Sequence, residues 1–168
     1  MTECTLKTHA ADLDRVIAYL RKKGFKKIFA IGHSYGGPTI LLSKKKDFDG
    51  VVLWDASHHG IPPLKSVRYI KELDAYRARW QAEVIIGKAM IKEEGKWNGE
   101  ELVRTIHTPI KIIVAGDGML IKGGRAYYKS ANPPKAFSVI KGAGHSFNED
   151  GAEEKLFKET LGWLKKWS

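Results

Sequence analysis

Ser34 is the residue of this sequence whose surroundings point most directly to chemistry. Gly32 lies two residues before it and Gly36 two residues after it. An apolar run at residues 27–31 predicts a strand before the serine, and residues 35–45 predict a helix after it. A serine on such a sharp turn projects its hydroxyl above the sheet, because small flanking residues let strand and helix pass closely. The pattern therefore predicts that Ser34 is a nucleophile.

Backbone N–H groups just after Ser34 are the second predicted element of the site. The following helix points its N-terminal N–H groups at the oxyanion that forms when a serine attacks a carbonyl. We expect the N–H of Tyr35 to be the main donor, with Gly36 beside it in the same oxyanion- and substrate-binding turn. The alternative is a glycine-rich turn that merely contains a serine, and the spacing disfavours it.

His145 is the candidate general base, which a weakly nucleophilic serine requires. It lies in a glycine-rich run at residues 142–147 (GAGHSF), after a predicted strand at 136–140. Glycines leave room for an imidazole to reach across neighbouring loops, and core packing explains a histidine there poorly. We therefore assign catalysis to His145 ahead of a structural role.

The other five histidines have weaker claims. His33 is predicted to pack beside the nucleophile, and His9 and His107 to lie at the surface. The adjacent pair His58 and His59 suggests a metal, but no cysteine or acid at ligand spacing surrounds it. A loop role is favoured for the pair, and no metal site is predicted.

Four short apolar runs alternate with helical patterns, which predicts an α/β fold. The predicted architecture is a single domain over residues 1–168, a three-layer sandwich with a short, mainly parallel sheet of about four strands. The strands are expected at residues 27–31, 51–54, 110–115 and 136–140, and the helices at 9–23, 35–45, 98–106 (capped by Asn98), 122–131 and about 156–167.

The segment at residues 61–106 shows no clear strand. Ile70, Leu73, Trp80 and Val84 recur at a spacing that suggests one long helix. The segment is long for a plain crossover between two parallel strands. We therefore predict a helical, cap-like insertion over a pocket.

Composition narrows the class of protein. The 168 residues are 43% hydrophobic and 29% charged, as in ordinary globular proteins, and no stretch approaches the roughly 18 apolar residues of a membrane span. The first seven residues lack the apolar run of a secretory signal. A single cysteine, Cys4, indicates a reducing compartment, so a cytoplasmic location is expected.

The net charge of +10 invites a nucleic-acid-binding interpretation. The basic residues, however, occur in short scattered runs, two of which fall at predicted helix ends. No nucleic-acid or membrane partner is therefore expected. Gly116, Gly118 and their neighbours match neither a phosphate-binding loop nor a dinucleotide fingerprint, so no cofactor is expected either.

The two motifs at residues 32–37 (GHSYGG) and 142–147, in this order and each after a strand, resemble the α/β-hydrolase superfamily. The similarity is greatest to its esterase, lysophospholipase-like and acyl-aminopeptidase-like members and covers about residues 12–167. It implies a reduced α/β-hydrolase fold, with Ser34 as nucleophile, His145 as general base and an acid between them in sequence. It also implies hydrolysis of a small ester through an acyl-enzyme. The competing function is a noncatalytic module of the same fold that binds a ligand or a partner chain.

The acid is where the sequence departs from the family pattern. The family usually places it three residues past a glycine after the strand at 110–115; counted from Gly116 that position is Met119, which cannot serve. Asp117 is the favoured acid because its spacing to later apolar residues fits. Asp55, at the end of the second strand, is the runner-up, since haloalkane dehalogenases carry their acid there; it also serves simply as a strand cap. In either position the acid would fix the imidazole tautomer.

The family also has four strands before the helix near His9, and a loop that donates a second oxyanion N–H. Neither has a counterpart here. The first strand of the sheet is therefore expected to be an exposed apolar edge. Three explanations stay open: a minimal hydrolase, a fragment, or a sheet completed by another chain, with a homodimer the first expectation.

Overall fold

A parallel sheet of four strands forms the centre of the fold. The computed structural model describes residues 4–59, 67–79, 83–93 and 96–168. Its strands are β1 (Phe29–His33), β2 (Gly50–Trp54), β6 (Ile110–Ala115) and β7 (Lys135–Ile140). They are ordered β1-β2-β6-β7 across the sheet, and all neighbouring strands are parallel. All four predicted strands are confirmed, with ends that shift by two residues at most.

Helices cover both faces of this sheet, as predicted. One face packs against α1 (Leu6–Lys22), α2 (Gly36–Leu41), α4 (Gly99–Arg104) and α5 (Ile121–Ser130); the other packs against α6 (Ala152–Leu164). The β6 strand is buried at every position, which explains its unbroken apolar sequence. Asn98 caps α4 as expected, its Oδ1 accepting from Glu100 N–H at 2.9 Å. No helix in the described parts of the chain is long and apolar enough to cross a bilayer.

The insertion between β2 and β6 differs from the prediction. It contains a three-stranded antiparallel sheet of β3 (Arg68–Ile70), β4 (Ala75–Arg79) and β5 (Glu83–Gly87), followed by the short helix α3 (Lys88–Glu93). The predicted long helix is therefore wrong, and Trp80 lies outside the described residues. A role as a cap over a pocket stays a prediction, as does the division of the chain into a single domain.

Two local features explain the strands. Asp74 adopts a left-handed conformation (φ 46°) that ends a 3-10 turn and reverses the chain. Its carboxylate accepts from Tyr69 Oη and pairs with Lys88, which ties both ends of the small sheet together. Further on, Val84 to Ile86 are three successive β-branched residues, which favour strand over helix.

β1 is an edge strand of the main sheet among the described residues. Ala30 and Gly32 are buried, whereas the residues that alternate with them are partly or fully exposed; Ile31 is 44% exposed. Ile31 pairs in register with Val52, whose side chain packs on the α6 side of the sheet. The expected apolar edge is therefore present.

Gly32 marks the closest approach of β1 to α2. A Cβ atom at Gly32 would lie 2.5 Å from both the carbonyl carbon and the carbonyl oxygen of Gly36, whereas a Cβ at Gly36 would meet nothing within 4 Å. The structure therefore requires a glycine at position 32, whereas position 36 has room for a Cβ atom.

Replacing Gly32 with alanine should therefore lower the free energy of unfolding by about 1–3 kcal/mol, because backbone atoms must shift to admit the methyl group. The matched control Gly36→Ala should change it by less than about 1 kcal/mol. Urea unfolding followed by circular dichroism measures both. Equal losses in the two variants would contradict this assignment of the close contact.

Candidate active site

Ser34 occupies a strained turn directly after β1. Its φ of 53° is left-handed, a conformation that costs a non-glycine residue on the order of 1–3 kcal/mol and persists where surrounding bonds enforce it. Its N–H donates to Trp54 O at 3.1 Å. Its carbonyl accepts from the N–H groups of Gly37 and Ser57, both at 3.1 Å. These bonds hold the serine backbone to β2, to the loop after β2 and to the start of α2.

The Ser34 side chain is half-buried, and its hydroxyl forms no hydrogen bond to any other residue that the structure describes. Catalytic hydrogen bonds in unliganded enzymes are often long and tighten only around substrate. The strand–turn–helix context predicted for this serine is thus present. Its role as nucleophile stays a prediction.

Asp55 is a fully buried carboxylate at the end of β2. Its N–H donates to Ile113 O at 2.7 Å, and its Oδ1 accepts from Ala115 N–H at 3.2 Å. Its Oδ2 lies 2.6 Å from His145 Nδ1. Because the carboxylate accepts, Nδ1 carries the proton and Nε2 of the imidazole is left as the acceptor, which is the arrangement a general base requires.

His145 lies in the loop between β7 and α6, with 23% of its side chain exposed. Three residues of this loop have left-handed backbones: Gly142 (φ 74°), Phe147 (φ 54°) and Gly151 (φ 71°). The Phe147 ring is buried in the cluster under α6, which fixes the loop to the core. The partly exposed His145 ring and its buried partner Asp55 therefore meet at the carboxyl end of the sheet.

Asp117 does not pair with His145. It is exposed, and its backbone N–H donates to Ala143 O at 2.9 Å. The His145 ring contacts Asp55, so the structure brings the runner-up acid and not the favoured one to the imidazole; the catalytic role of either stays a prediction. Asp55 ends β2, the neighbour of β1 and its serine turn, and its carboxylate is buried, whereas Asp117 follows β6 and is exposed.

Tyr35 and Gly36 lie where the oxyanion turn is expected. Tyr35 is the N-cap residue of α2, and Gly36 is the first residue of that helix. Both are half-buried and follow Ser34 directly. Donation from Tyr35 N–H to an oxyanion stays a prediction.

Tyr127, which sequence reasoning missed, supports the loop that follows Asp55. Its hydroxyl donates to Ser57 O at 2.5 Å, and burial raises the pKa of Tyr127. Its ring packs at right angles to that of His58, at 4.9 Å between centroids. The helical spacing of apolar residues can place Tyr127 on the buried face of α5, but it does not indicate the hydrogen bond from the Tyr127 hydroxyl to Ser57 O.

The His58 and His59 pair is a structural feature of the same loop. His58 is 6% exposed, and its Nδ1 lies 2.8 Å from Nε2 of His59. Burial and the neighbouring His59 lower the pKa of His58, against a smaller opposing effect of Glu100. No three His, Cys, Asp or Glu side chains of the described residues come together as a metal site.

Comparison with solved structures identifies the architecture. No protein-family model and no curated protein matches the sequence of the chain. The α/β hydrolase GrgF from Penicillium sp. sh18 superposes with a TM-score of 0.76 at 12% identity, over 98% of this chain and 73% of that one. The chain has the α/β-hydrolase fold.

Two further α/β-hydrolase structures match at similar levels. An esterase domain from a Rhodothermus marinus protein has a TM-score of 0.70 at 21% identity, covering 93% of this chain and 68% of that one. A monoacylglycerol lipase from Paleococcus ferrophilus has a TM-score of 0.69 at 17% identity, covering 98% and 77%. The neighbours are thus esterases and other hydrolases, and at these identities what is shared is the fold.

The pairing of His145 can be tested without any substrate. The ¹⁵N chemical shifts of its imidazole should show the Nδ1–H tautomer at neutral ring charge, and Asp55→Asn should disturb that tautomer because an amide can also donate. Asp117→Asn, the matched control, should leave the shifts unchanged. The opposite pattern would mean that His145 pairs with Asp117 in solution.

Proposed function

We propose that this protein is a serine hydrolase of the carboxylesterase type that cleaves a small ester. One observation carries the proposal: a strained serine and a carboxylate-bound imidazole occupy the same end of the sheet. The fold similarity to esterases and a lipase supports a hydrolase. Among hydrolases, Ser34 and the Asp55–His145 pair favour acyl transfer.

In the proposed reaction, Ser34 Oγ attacks the ester carbonyl while Nε2 of His145 removes its proton. Asp55 stabilises the imidazolium that forms, and the N–H of Tyr35, with Gly36 beside it, stabilises the oxyanion. The imidazolium then protonates the leaving alcohol, which leaves an acyl group on Ser34. A water molecule, activated by His145, hydrolyses this acyl-enzyme and restores the serine.

Burial of Asp55 favours an enzyme over a noncatalytic module. A fully buried carboxylate costs several kcal/mol unless it is paired and hydrogen-bonded. A strand cap would need only the bond from Ala115 N–H, whereas the second bond, to His145, is the one that a general base requires. The pair fits a function in which the imidazole gains a charge during the reaction.

The remaining parts of the proposal concern partners and location. The substrate is a small-molecule ester, with no cofactor and no metal in the reaction. The protein does not bind nucleic acid, and it works in the cytoplasm, which its single exposed cysteine suits.

The protein should hydrolyse short p-nitrophenyl esters and react with a fluorophosphonate probe at Ser34. Ser34→Ala should abolish both, whereas Ser168→Ala, at an exposed serine beyond α6, should change neither. Asp55→Asn should lower kcat on the order of 10⁴-fold and Asp117→Asn far less. Peptide mapping of the labelled protein gives the site. Wild-type turnover in Ser34→Ala would refute the assigned nucleophile.

We also propose that β1 pairs with β1 of a second copy. The edge presents Ile31, and Val16, Tyr19 and Phe25 of α1 and the following loop are each more than half exposed. Antiparallel pairing about Ile31 would satisfy the free backbone groups of both edges and close as a two-fold dimer.

Light scattering should then give a mass of twice 18.8 kDa at micromolar concentration. Ile31→Lys should convert the dimer to a monomer, because a charge on an edge strand opposes pairing. Val84→Lys, at an exposed apolar position of β5, is the control and should leave the dimer intact. An active wild-type protein of 18.8 kDa would exclude the dimer.

A further inference from the structure

His33, the residue before Ser34, makes a direct contact with the residue assigned as general base. Its Nε2 lies 2.8 Å from the backbone oxygen of His145. The two imidazole rings are 4.7 Å apart at their centroids with a 34° tilt, and the His33 ring also meets the edge of Phe147 at 6.2 Å. The His33 ring therefore touches the backbone and the side chain of His145 together.

The chemistry of this contact fixes the protonation of one ring nitrogen. A carbonyl oxygen can only accept, so Nε2 of His33 must carry a hydrogen. The neutral Nε2–H tautomer and the imidazolium both meet this requirement. The hydrogen bond is therefore compatible with either charge of His33.

The bond from His33 adds, to the other anchors of the His145 loop, a direct link to the residue next to Ser34. Asp55 holds Nδ1 of His145 and so fixes the direction of the ring. Phe147 holds the far end of the loop in the core. Only the bond from His33 links the His145 backbone to the residue next to the serine, among the contacts that the described residues make.

We propose that His33 is a positioning residue: it holds the backbone of His145 so that Nε2 of the base stays within reach of Ser34 Oγ. This inference rests on the proposed serine hydrolase function. Displacement of a catalytic group by about 1 Å can cost on the order of 10²-fold in rate, so one such bond matters to the reaction more than to the fold.

Two substitutions separate the hydrogen bond from packing. His33→Phe keeps an aromatic ring against His145 and Phe147 but has no donor. His33→Gln loses the ring but places an amide N–H at the reach of the imidazole Nε2. We expect His33→Phe to lower kcat by about 10- to 10²-fold with KM unchanged. His33→Gln should restore most of that loss.

A second measurement does not depend on catalysis. The ¹³C shift of the His145 carbonyl reports whether it accepts a hydrogen bond, and ¹⁵N relaxation reports how mobile residues 142–147 are. His33→Phe should move the carbonyl resonance upfield and increase the mobility of the loop. His33→Gln should keep both close to the wild-type values.

The two readouts distinguish the failure of this inference from failure of the proposed function. If wild-type protein neither turns over esters nor labels at Ser34, the proposed function fails, and the NMR comparison alone decides whether His33 holds the loop. If kcat of His33→Phe equals that of wild type, the positioning role is wrong even where the carbonyl shift moves. If both variants lose rate equally while the carbonyl shift stays constant, the effect is not due to this bond and the inference is overturned.

Discussion

The buried carboxylate of Asp55 is the constraint on which the site depends. It lies at the end of β2, and each of its oxygens has a partner: the backbone N–H of Ala115 and the imidazole of His145. An unpaired carboxylate at this depth would be strongly destabilising, so the end of β6 and the His145 loop must both reach it. One side chain thus joins the end of β6 to the loop that follows β7.

Glycines allow the chain to pack closely around Asp55 and the end of the sheet that carries it. A Cβ at Gly118 would lie 3.2 Å from Asp55 Oδ2, closer than most side chains pack, so the turn after β6 comes near the carboxylate at a glycine. A Cβ at Gly37 would strike Ala56, and one at Gly124 would strike Val114, so α2 and α5 also approach the sheet through glycine. Gly118 and Gly124, which lie outside the serine motif, thus allow close packing of a turn and a helix against the sheet, as Gly37 does within the motif.

The main sheet and the serine turn were predictable because their signals are local. An apolar strand such as β6, buried on both faces, is apolar at almost every position, and the serine motif specifies its own strand–turn–helix context. The carboxylate partner of His145 was not predictable in this way. Asp55 and Asp117 both follow strands, and the choice between them depends on which carboxylate the folded chain buries beside the imidazole, which no local pattern contains. The helix predicted over the β3–β5 segment was wrong for another reason. Its apolar residues lie at helical spacing, but Asp74 between them has a left-handed backbone that a helix does not allow.

The sequence separations of these contacts have a consequence for the order in which the protein folds. The Ser34 turn depends on pairing between β1 and β2, in which Phe29 meets Gly50 across a short crossover through α2. Asp55 and His145, by contrast, are 90 residues apart. Closing the shorter loop costs less chain entropy, and non-local contacts are the slower ones to form. A chain emerging from the ribosome can thus build its serine turn before the segment that carries His145 has been synthesised, so the contact between Asp55 and His145 forms last.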